Sequence, residues 1–409
     1  MTSVCLYFQI HQPYRLRRYS VFDADPFYFD NDLNQRLCRK VADKCYRPAT
    51  EKLIELAERH DGAFRLGLAI TSTAIEQFEQ WTPDVLNLFR RLVETGACEI
   101  LGETSHHSLS ALFSPDEFDA QITLHQQRLR EMFNVSPRVF RNTELMYWDG
   151  LADLIVERGG FDAVLADGVP DLLDERSPNR LYHAATEQAS PSVNLLLKNA
   201  QLSDDIAFRF SDRNWKHYPL TADRFAVWLD ELDQNDRICN LFMDYETIGE
   251  HHWEETGIFT FLDELPGAVL NNRRVNTFTT PSEAAASEVP GDVYRAPEPT
   301  SWADSERDIS AWMGNAMQAN AADELYRLEQ HVKARHESGD DPYLLEDWRK
   351  LTTSDHLYYM STKHWMDGAV HEYFSPYESP YDAYINFMNV LDNLRARCGI
   401  TAETPQATL

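Results

Sequence analysis

The sequence predicts an α/β protein in which a barrel of parallel strands is followed by a domain of α-helices. Up to about residue 285, apolar runs of strand length alternate with stretches of helical period, the pattern of strand–helix units that build parallel sheets. Residues 288–300 contain three prolines and few apolar side chains, which marks a boundary. From residue 305 to about residue 400 the chain has helical period and few strand signals. We therefore predict a barrel over residues 1–290 and an α-helical domain over residues 291–409.

Each strand is predicted from an unbroken apolar run, and each helix from its period and end signals. Pro48 divides the helical period of residues 33–60 into two helices, because proline interrupts a helix interior. Thr82 and Ser282 are predicted N-caps, and Ser114 with Glu117 has the spacing of a capping box. The predicted strands are 3–10, 64–70, 98–101, 138–141, 163–166, 193–198, 206–210, 238–243 and 276–280, with a long loop over 168–192. The other predicted helices are 75–81, 83–95, 115–133, 149–158, 221–232, 259–265, 306–335, 343–366 and 379–398.

The charge of the chain narrows the partners it can have. With 38 Lys and Arg against 66 Asp and Glu, the formal net charge is −28 and the pI is about 4.8. Such a chain repels nucleic acid and anionic membranes, so a neutral substrate suits it better. Arginine greatly outnumbers lysine, and the acidic residues are spread along the whole chain. This pattern is typical of adaptation to high salt, and ordinary acidic drift is the alternative.

The cysteines and the N-terminus predict a cytoplasmic protein. None of the six cysteines forms a CxxC pair, and Cys5, Cys98 and Cys239 lie in strand-like apolar runs. This usage indicates reduced, buried thiols rather than a disulfide framework or a zinc site. The first ten residues carry no basic region and run directly into a strand, and no segment approaches 18 apolar residues. The sequence carries no signal for a particular oligomeric state.

The most informative stretch is residues 238–252. Its first half is an apolar run typical of a strand that is buried on both faces, and the run ends in Asp244, Glu246 and Glu250, followed by His251 and His252. Buried carboxylates are costly unless they are paired or used, and the carboxyl ends of parallel barrel strands are where catalytic residues collect. We interpret this strand end as part of an active site. A solvated loop after the strand is the alternative.

A second acidic strand end supplies Glu144, so two carboxylates, Glu144 and Asp244, can face each other across the barrel mouth. Such a pair can cleave a glycosidic bond, because one carboxylate attacks the anomeric carbon while the other acts first as an acid and then as a base. The alternative for Glu144 is a structural ion pair with Arg141 or Arg138. Aromatic residues that could stack on sugar rings lie nearby, namely Tyr147, Trp148, Tyr245 and Trp253.

Two other hypotheses remain open for this site, and the first of them concerns the histidines at predicted strand ends. With nearby Asp and Glu residues they could hold a divalent metal for hydrolysis, as in a sugar deacetylase, although their spacing is not the tight HxH or HxxxH kind. The third hypothesis is a glucan-binding protein with a disabled site, which the presence of both carboxylates disfavours. The histidines concerned are His11, His106, His107, His251 and His252.

Five short motifs, in order along nearly the whole chain, resemble the signature regions of glycoside hydrolase family 57, and most closely those of its archaeal α-amylase-like branch. The third strand departs from the usual run where Glu103 leads to His106 and His107, which leaves the role of these histidines open. The motifs are His11-Gln12-Pro13, Cys98-Glu99-Ile100-Leu101-Gly102, Phe140-Arg141-Asn142-Thr143-Glu144, Met243-Asp244-Tyr245-Glu246-Thr247-Ile248-Gly249-Glu250-His251 and Ser301-Trp302-Ala303-Asp304-Ser305-Glu306.

The resemblance implies an incomplete (β/α)7 barrel followed by a C-terminal α-helical bundle that contributes to the active site. It also implies a retaining α-amylase or 4-α-glucanotransferase that acts on α-1,4-glucan or maltooligosaccharide without a metal or other cofactor. By the same match, Glu144 would be the nucleophile and Asp244 the acid/base. The implied substrate-binding residues are His11, Gln12, Tyr147, Trp148, Glu246, His251, Trp302 and Asp304.

Overall fold

The computed structural model describes residues 2–187, 193–271, 276–303, 305–363 and 375–400. Within these ranges, ten strands belong to one sheet. Most of their residues are buried, as expected for strands with both faces covered. The strands are β1 Ser3–Ile10, β2 Leu66–Ile70, β3 Cys98–Ile100, β4 Val139–Arg141, β5 Ala163–Asp167, β6 Leu181–Ala184, β7 Asn194–Lys198, β8 Ile238–Asp244, β9 Thr277–Phe278 and β10 Asp292–Tyr294.

Seven of these strands run parallel around a barrel, which confirms the predicted (β/α)7 fold. β1 pairs with β2 on one side and with β8 on the other, and β2 continues to β3. Beyond β3 the ring passes to β4 through a single parallel bridge between Gly102 and Phe140. From β4 it passes to β5 and β7. β7 and β8 share only the position Lys198 opposite Asn240, so the ring is closed by sparse pairing at two places.

Two predictions for the stretch between β5 and β8 are wrong. The predicted loop over residues 168–192 contains a short helix, Pro170–Leu173, and the strand β6, which pairs antiparallel with β7. The predicted strand over residues 206–210 is instead the last two residues of a helix, Ala200–Ala207, followed by a turn over residues 208–210. Asn199 begins this helix, because its side chain accepts a hydrogen bond from the backbone N–H of Leu202 at 2.9 Å. Local capping therefore outweighs the strand propensity of the apolar residues that follow.

The helices that accompany the barrel strands mostly begin and end close to the predicted residues. Their caps differ from the prediction at two positions. Thr82 makes no capping hydrogen bond with its side chain, and the helix after β9 is capped by Thr280 with Glu283 rather than by Ser282. The helices are Asn31–Val41, Arg47–Arg59, Ser72–Trp81, Pro83–Glu94, Pro115–Phe133, Asp149–Arg158, Ala222–Asp230, Ile258–Leu270 and Pro281–Ala286, with a π-helical segment at Ala42–Tyr46.

The chain divides into two compact units. The barrel unit contains residues 1–12, 35–105 and 119–302, and the second unit contains residues 13–34, 106–118 and 303–409. The predicted boundary at residue 290 stays a prediction. The predicted helix over 306–335 is interrupted at Asn315, which caps a new helix with Gln318 in a capping box. The last three residues of the predicted helix over 343–366 lie outside the described residues. The helices of the second unit include Ser110–Phe113, Ser310–Met313, Ala316–Arg327, Glu329–Glu337, Leu344–Leu351, Ser354–Tyr358 and Pro380–Arg397.

Two observations bear on the predictions drawn from cysteines and hydropathy. All six cysteines are free and buried, which confirms the prediction that the thiols are buried. Among the helices of the described ranges, none has both the length and the apolarity needed to cross a membrane.

A buried carboxylate organises the second unit. The Glu117 side chain is fully buried and binds Arg349 at 2.7 Å and Lys333 at 3.0 Å. Burial alone would raise the pKa of Glu117, but the bonds from Arg349 and Lys333 lower it below its ordinary value. The backbone N–H of Glu117 donates to Ser114 Oγ at 3.2 Å, so the predicted capping residue is used. The ionised form of Glu117 is therefore the one that the fold stabilises.

We expect Glu117→Gln to destabilise the protein by about 3 kcal/mol at pH 7, because it leaves Arg349 buried without its anionic partner. The depressed pKa means that the contribution of Glu117 is fully present above its ordinary pKa and is lost as the pH falls through the folded-state value. Thermal unfolding at pH 7 and near pH 3 measures this. The exposed Glu51, on the helix Arg47–Arg59, offers a matched control. Equal midpoints for Glu117→Gln and Glu51→Gln at pH 7 would contradict the prediction.

Candidate active site

Polar side chains collect at the carboxyl edge of the barrel. Because the seven strands are parallel, their carboxyl ends meet at one edge. His11 follows β1, Thr71 follows β2 and Glu103 follows β3. On the other strands, polar residues occupy the final position itself, namely Arg141 on β4, Asp167 on β5, Lys198 on β7 and Asp244 on β8.

Glu144 lies in a strained turn directly after β4. Its φ is 57° and that of Leu145 is 50°, so two successive residues with side chains occupy the left-handed region, at a cost of about 1–2 kcal/mol each. The Glu144 carboxylate accepts a hydrogen bond from the indole Nε1 of Trp302 at 2.8 Å. The backbone N–H of Trp302 also donates to the Glu144 carbonyl at 3.3 Å. Trp302 thus fixes both the side chain and the backbone of Glu144.

Trp302 is in turn held between the barrel core and two cations. It packs half-buried against the buried core of the barrel unit, to which it belongs. The Arg141 guanidinium lies 5.1 Å from the centre of its ring, and Lys198 Nζ lies 5.2 Å from it. Both contacts are in the range of cation–π attraction. Arg138, the other cation considered as a structural partner of Glu144, is exposed and pairs with Asp162.

The buried hydroxyl of Tyr7 on β1 lies within electrostatic range of both predicted catalytic carboxylates. Tyr7 is 0% exposed, and its hydroxyl donates to Gln9 Oε1 at 2.6 Å. Its pKa is raised well above the ordinary value, first by burial and then by the charges of Glu103, Asp244 and Glu144, while Arg141 lowers it. Glu144 and Asp244 therefore both lie within electrostatic range of the same atom.

Asp244 is the last residue of β8, and its backbone is opposite Gln9 of β1 in the sheet register. It is half-buried, like Glu144. Gln9 Nε2 donates to Glu103 at 3.2 Å, so the position next to Asp244 belongs to the same buried polar chain as Tyr7. The end of β8 thus lies beside the buried polar chain formed by Tyr7, Gln9 and Glu103.

Glu246 occupies a 3₁₀ turn, Tyr245–Thr247, directly after Asp244. It is buried, and its Oε1 accepts a hydrogen bond from the hydroxyl of Tyr46. Gln12 Nε2 donates to the Tyr46 oxygen at 2.9 Å. Burial, followed by the charge of Asp244, raises the pKa of Glu246 to about 8, while the bonds from Tyr46 and Gln12 lower it. Glu246 and Gln12, two predicted substrate-binding residues, thus meet at Tyr46.

Ion pairs join the loop after Glu246 to the helix Asn31–Val41 and to the π-helical segment Ala42–Tyr46. The Glu250 side chain is fully buried and pairs with Lys40 at 2.7 Å and Lys44 at 3.6 Å. Gly249 has a φ of 104°, and a Cβ at this position would lie 2.0 Å from the carbonyl oxygen of Lys44. Only glycine permits this close approach. The backbone packing at this position therefore requires Gly249, independently of any role in catalysis.

The histidines occupy different environments. His252 is structural, because its Nε2 lies 2.9 Å from the Ile206 carbonyl and its Nδ1 lies 2.8 Å from Ser211 Oγ. His11 Nδ1 lies 3.0 Å from Thr71 Oγ1 at the barrel edge. Within the second unit, His106 Nε2 lies 3.4 Å from Glu346. Among the described residues, no three His, Cys, Asp or Glu side chains are grouped so that they could hold a metal ion.

The remaining predicted binding residues are less exposed than expected, or lie outside the described ranges. Tyr147 is fully buried, with its ring 6.0 Å from that of Tyr294. Its neighbour Trp148 is half-buried, as is His251. Asp304 lies outside the described residues.

Several residues of this network were not predicted as site residues. Arg141 lies in a quoted motif, Glu103 directly follows another, and Lys198 ends an apolar run in the same way as Asp244 does. A charged residue at or just after the end of a buried strand is therefore the signal that could have identified them. Tyr7 looks like any core residue of β1. Tyr46 lies on a helical stretch 200 positions before its partner Glu246, and no local sequence pattern predicts that the two residues pair.

Comparison with known proteins agrees with this geometry. The sequence profile of glycosyl hydrolase family 57 matches residues 5–297. A protein of Methanocaldococcus jannaschii named "Putative alpha-amylase" is 40% identical over 395 residues, covering 94% of this chain and 82% of that protein.

Solved structures show the same fold. The GH57 branching enzyme of Thermococcus kodakaraensis has a TM-score of 0.66 at 14% identity, covering 97% of this chain and 94% of the enzyme. The 4-alpha-glucanotransferase of Thermococcus litoralis also has a TM-score of 0.66, at 16% identity, and this chain, 97% of which is covered, spans 60% of that enzyme's length. From the profile match and the 40% identical relative together, this chain belongs to glycosyl hydrolase family 57.

Proposed function

We propose that this protein is a retaining, α-glucan-active glycosidase of the α-amylase or 4-α-glucanotransferase type, with Glu144 as nucleophile and Asp244 as acid/base. The observation that carries the proposal is that Glu144 and Asp244 both lie at the carboxyl edge of the barrel, where the Trp302 indole binds the Glu144 carboxylate at 2.8 Å. The named activities of the relatives support the choice of substrate, since they are an alpha-amylase and a 4-alpha-glucanotransferase. The strongly acidic chain also favours a neutral sugar.

In the first step, the ionised Glu144 attacks the anomeric carbon while Asp244 gives its proton to the departing glycosidic oxygen. The bond to the leaving sugar breaks as the bond to Glu144 forms, which leaves a covalent glycosyl-enzyme. In the second step, Asp244 takes a proton from water or from a sugar hydroxyl, and that oxygen displaces Glu144. Two inversions give net retention of the α configuration.

Trp302 prepares Glu144 for attack. Its N–H bond at 2.8 Å holds one carboxylate oxygen, so the other oxygen can be directed at the substrate. The Arg141 guanidinium and Lys198 Nζ lie 5.1 and 5.2 Å from the centre of the same indole, so two cations pack against the residue that holds Glu144. Holding the nucleophile in place before substrate arrives lowers the entropic part of the barrier.

Replacing either carboxyl should abolish turnover without unfolding the chain. We expect Glu144→Gln and Asp244→Asn each to slow the consumption of maltoheptaose by about 10²–10⁴-fold or more, the usual contribution of such groups. A nitrophenyl glycoside needs little acid assistance, so it should partly restore the first step in Asp244→Asn but not in Glu144→Gln. The exposed Glu157, on the helix Asp149–Arg158, supplies the control Glu157→Gln. Normal turnover by Asp244→Asn or Glu144→Gln would disprove the assignment.

The stereochemistry and size of the first products test the mechanism and the acceptor. We expect the newly formed reducing end to be the α anomer in proton NMR spectra taken before mutarotation, because a double displacement retains configuration. An initial β anomer would overturn the retaining mechanism. Chromatography of the maltoheptaose products then separates the two activities, since hydrolysis gives shorter chains alone and transfer also gives longer ones.

A further inference from the structure

Lys198 is a buried cation at the carboxyl edge of the barrel, and none of the five sequence motifs contains it. It is the last residue of β7, opposite Asp167 of β5 and Asn240 of β8 in the sheet register. The residue is only 3% exposed, and a lysine is almost never buried to this extent unless its charge is paired. The double displacement does not itself require this lysine, so its position calls for a physical explanation.

An ion pair with Asp204 fixes the ammonium group of Lys198. Lys198 Nζ donates to Asp204 Oδ1 at 2.9 Å, and the two side chains are 4% and 16% exposed. Asp204 lies on the helix Ala200–Ala207, which begins directly after β7 because the Asn199 side chain caps it. Salt screens a charge pair of this burial only weakly. The ammonium group is therefore held near the end of its own strand.

The ammonium group also lies against the indole of Trp302. Lys198 Nζ is 5.2 Å from the centre of the ring, a distance at which cation–π attraction is effective, and this attraction is best for tryptophan and larger for desolvated cations. The Arg141 guanidinium, from the end of β4, lies 5.1 Å from the same centre. Two strands that both pair with β5 thus each place a cation at the ring.

The orientation of Trp302 decides where its N–H groups point. Nε1 donates to the Glu144 carboxylate at 2.8 Å, and the backbone N–H donates to the Glu144 carbonyl at 3.3 Å. A hydrogen bond weakens steeply as its angle departs from linear, so a rotated indole would release the carboxylate. A chain of contacts therefore runs from Asp204 through Lys198 and Trp302 to Glu144, and all four residues belong to the barrel unit.

We propose that Lys198, held by Asp204, is a positioning residue that keeps the Trp302 indole oriented so that the Glu144 carboxylate is aligned for attack. The inference rests on the proposed function, since it takes Glu144 as the nucleophile. Lys198 acts through Trp302 and does not bind the sugar, because its own side chain is buried. Its effect should therefore appear in the chemical step rather than in substrate binding.

Removing the charge of Lys198 should slow that chemical step. Lys198→Met keeps the approximate length of the side chain without the ammonium group, and we expect kcat on maltoheptaose to fall by about 10- to 100-fold while KM changes by less than about twofold. Lys198→Arg keeps a cation that can pair with Asp204 and pack on the indole, so it should restore much of the lost kcat. A purely structural role of the ion pair predicts no such separation of kcat from KM.

A double-mutant cycle tests whether Lys198 acts through Trp302. Trp302→Phe removes the indole N–H that binds Glu144, so the orientation of the ring no longer affects the nucleophile. In this background, adding Lys198→Met should lower kcat by less than about threefold, because residues that act as one unit are not additive. Equal losses in the two backgrounds would show that the two residues act independently.

The controls separate this role from simple damage. Lys52, on the helix Arg47–Arg59, is also a paired lysine of the barrel unit, with its Nζ 2.7 Å from Glu55. Lys52→Met should leave both kcat and KM unchanged. Thermal unfolding verifies that Lys198→Met is folded. If it is not, Asp204→Asn takes its place in the cycle, since it removes the partner that holds the ammonium group and should lower kcat in the same way.

The outcomes distinguish this inference from the function on which it rests. A lower kcat that Lys198→Arg restores, and that is largely absent in the Trp302→Phe background, supports the inference. An unchanged kcat, a change in KM alone, or equal losses in both backgrounds overturns it, and the proposed function survives if Glu144→Gln is inactive on maltoheptaose. If Glu144→Gln keeps normal activity, the proposed function itself fails.

Discussion

The structure of the barrel edge depends on one constraint, namely that a carboxylate removed from water must find a donor. An unpaired buried charge would cost several kcal/mol or more, which is comparable with the whole stability of a domain. Here four acidic groups of the edge each meet a specific partner, and the partner also fixes the direction of the carboxyl. The stabilising pairs are Trp302 with Glu144, Tyr46 with Glu246, Lys40 with Glu250, and Gln9 with Glu103. Stability and preorganisation for catalysis therefore have the same origin.

The pairs differ in the charge of the donor, and this difference sets what each acid can do. Lys40 carries a full charge, and its ion pair with Glu250 holds the loop after β8 against the helix Asn31–Val41. Tyr46 is a neutral donor, and burial with the charge of Asp244 raises the pKa of Glu246 to about 8. Trp302 donates from a neutral indole, but its ring lies close to the cations Arg141 and Lys198. One barrel edge thus contains a structural ion pair, a carboxyl with a raised pKa and the predicted nucleophile.

The sequence predicted the parts of this site that are local and missed the parts that are tertiary. β8 and its acidic end could be predicted because a long apolar run and its carboxylates are contiguous. β6 was missed because a four-residue strand in a region rich in Pro, Asp and Ser has little pattern of its own. The helix Ala200–Ala207 was missed because Ile206 in an apolar-rich context suits either element, and the cap at Asn199 decided the outcome. Tyr46 could not be paired with Glu246 from sequence, because that contact exists only once the chain has folded.

The same division between buried and exposed charge determines how ionic strength acts on the protein. Exposed pairs such as Arg18 with Glu378, whose side chains are 91% and 86% exposed, contribute little and are screened as ionic strength rises. The pairs of the barrel edge involve carboxylates such as that of Glu250, which is fully buried, and buried pairs are screened far less. A net charge of −28 makes the surface self-repelling at low salt. Added salt therefore relaxes the repulsion at the surface while leaving the charge pattern of the site in place, and a neutral sugar can enter under either condition.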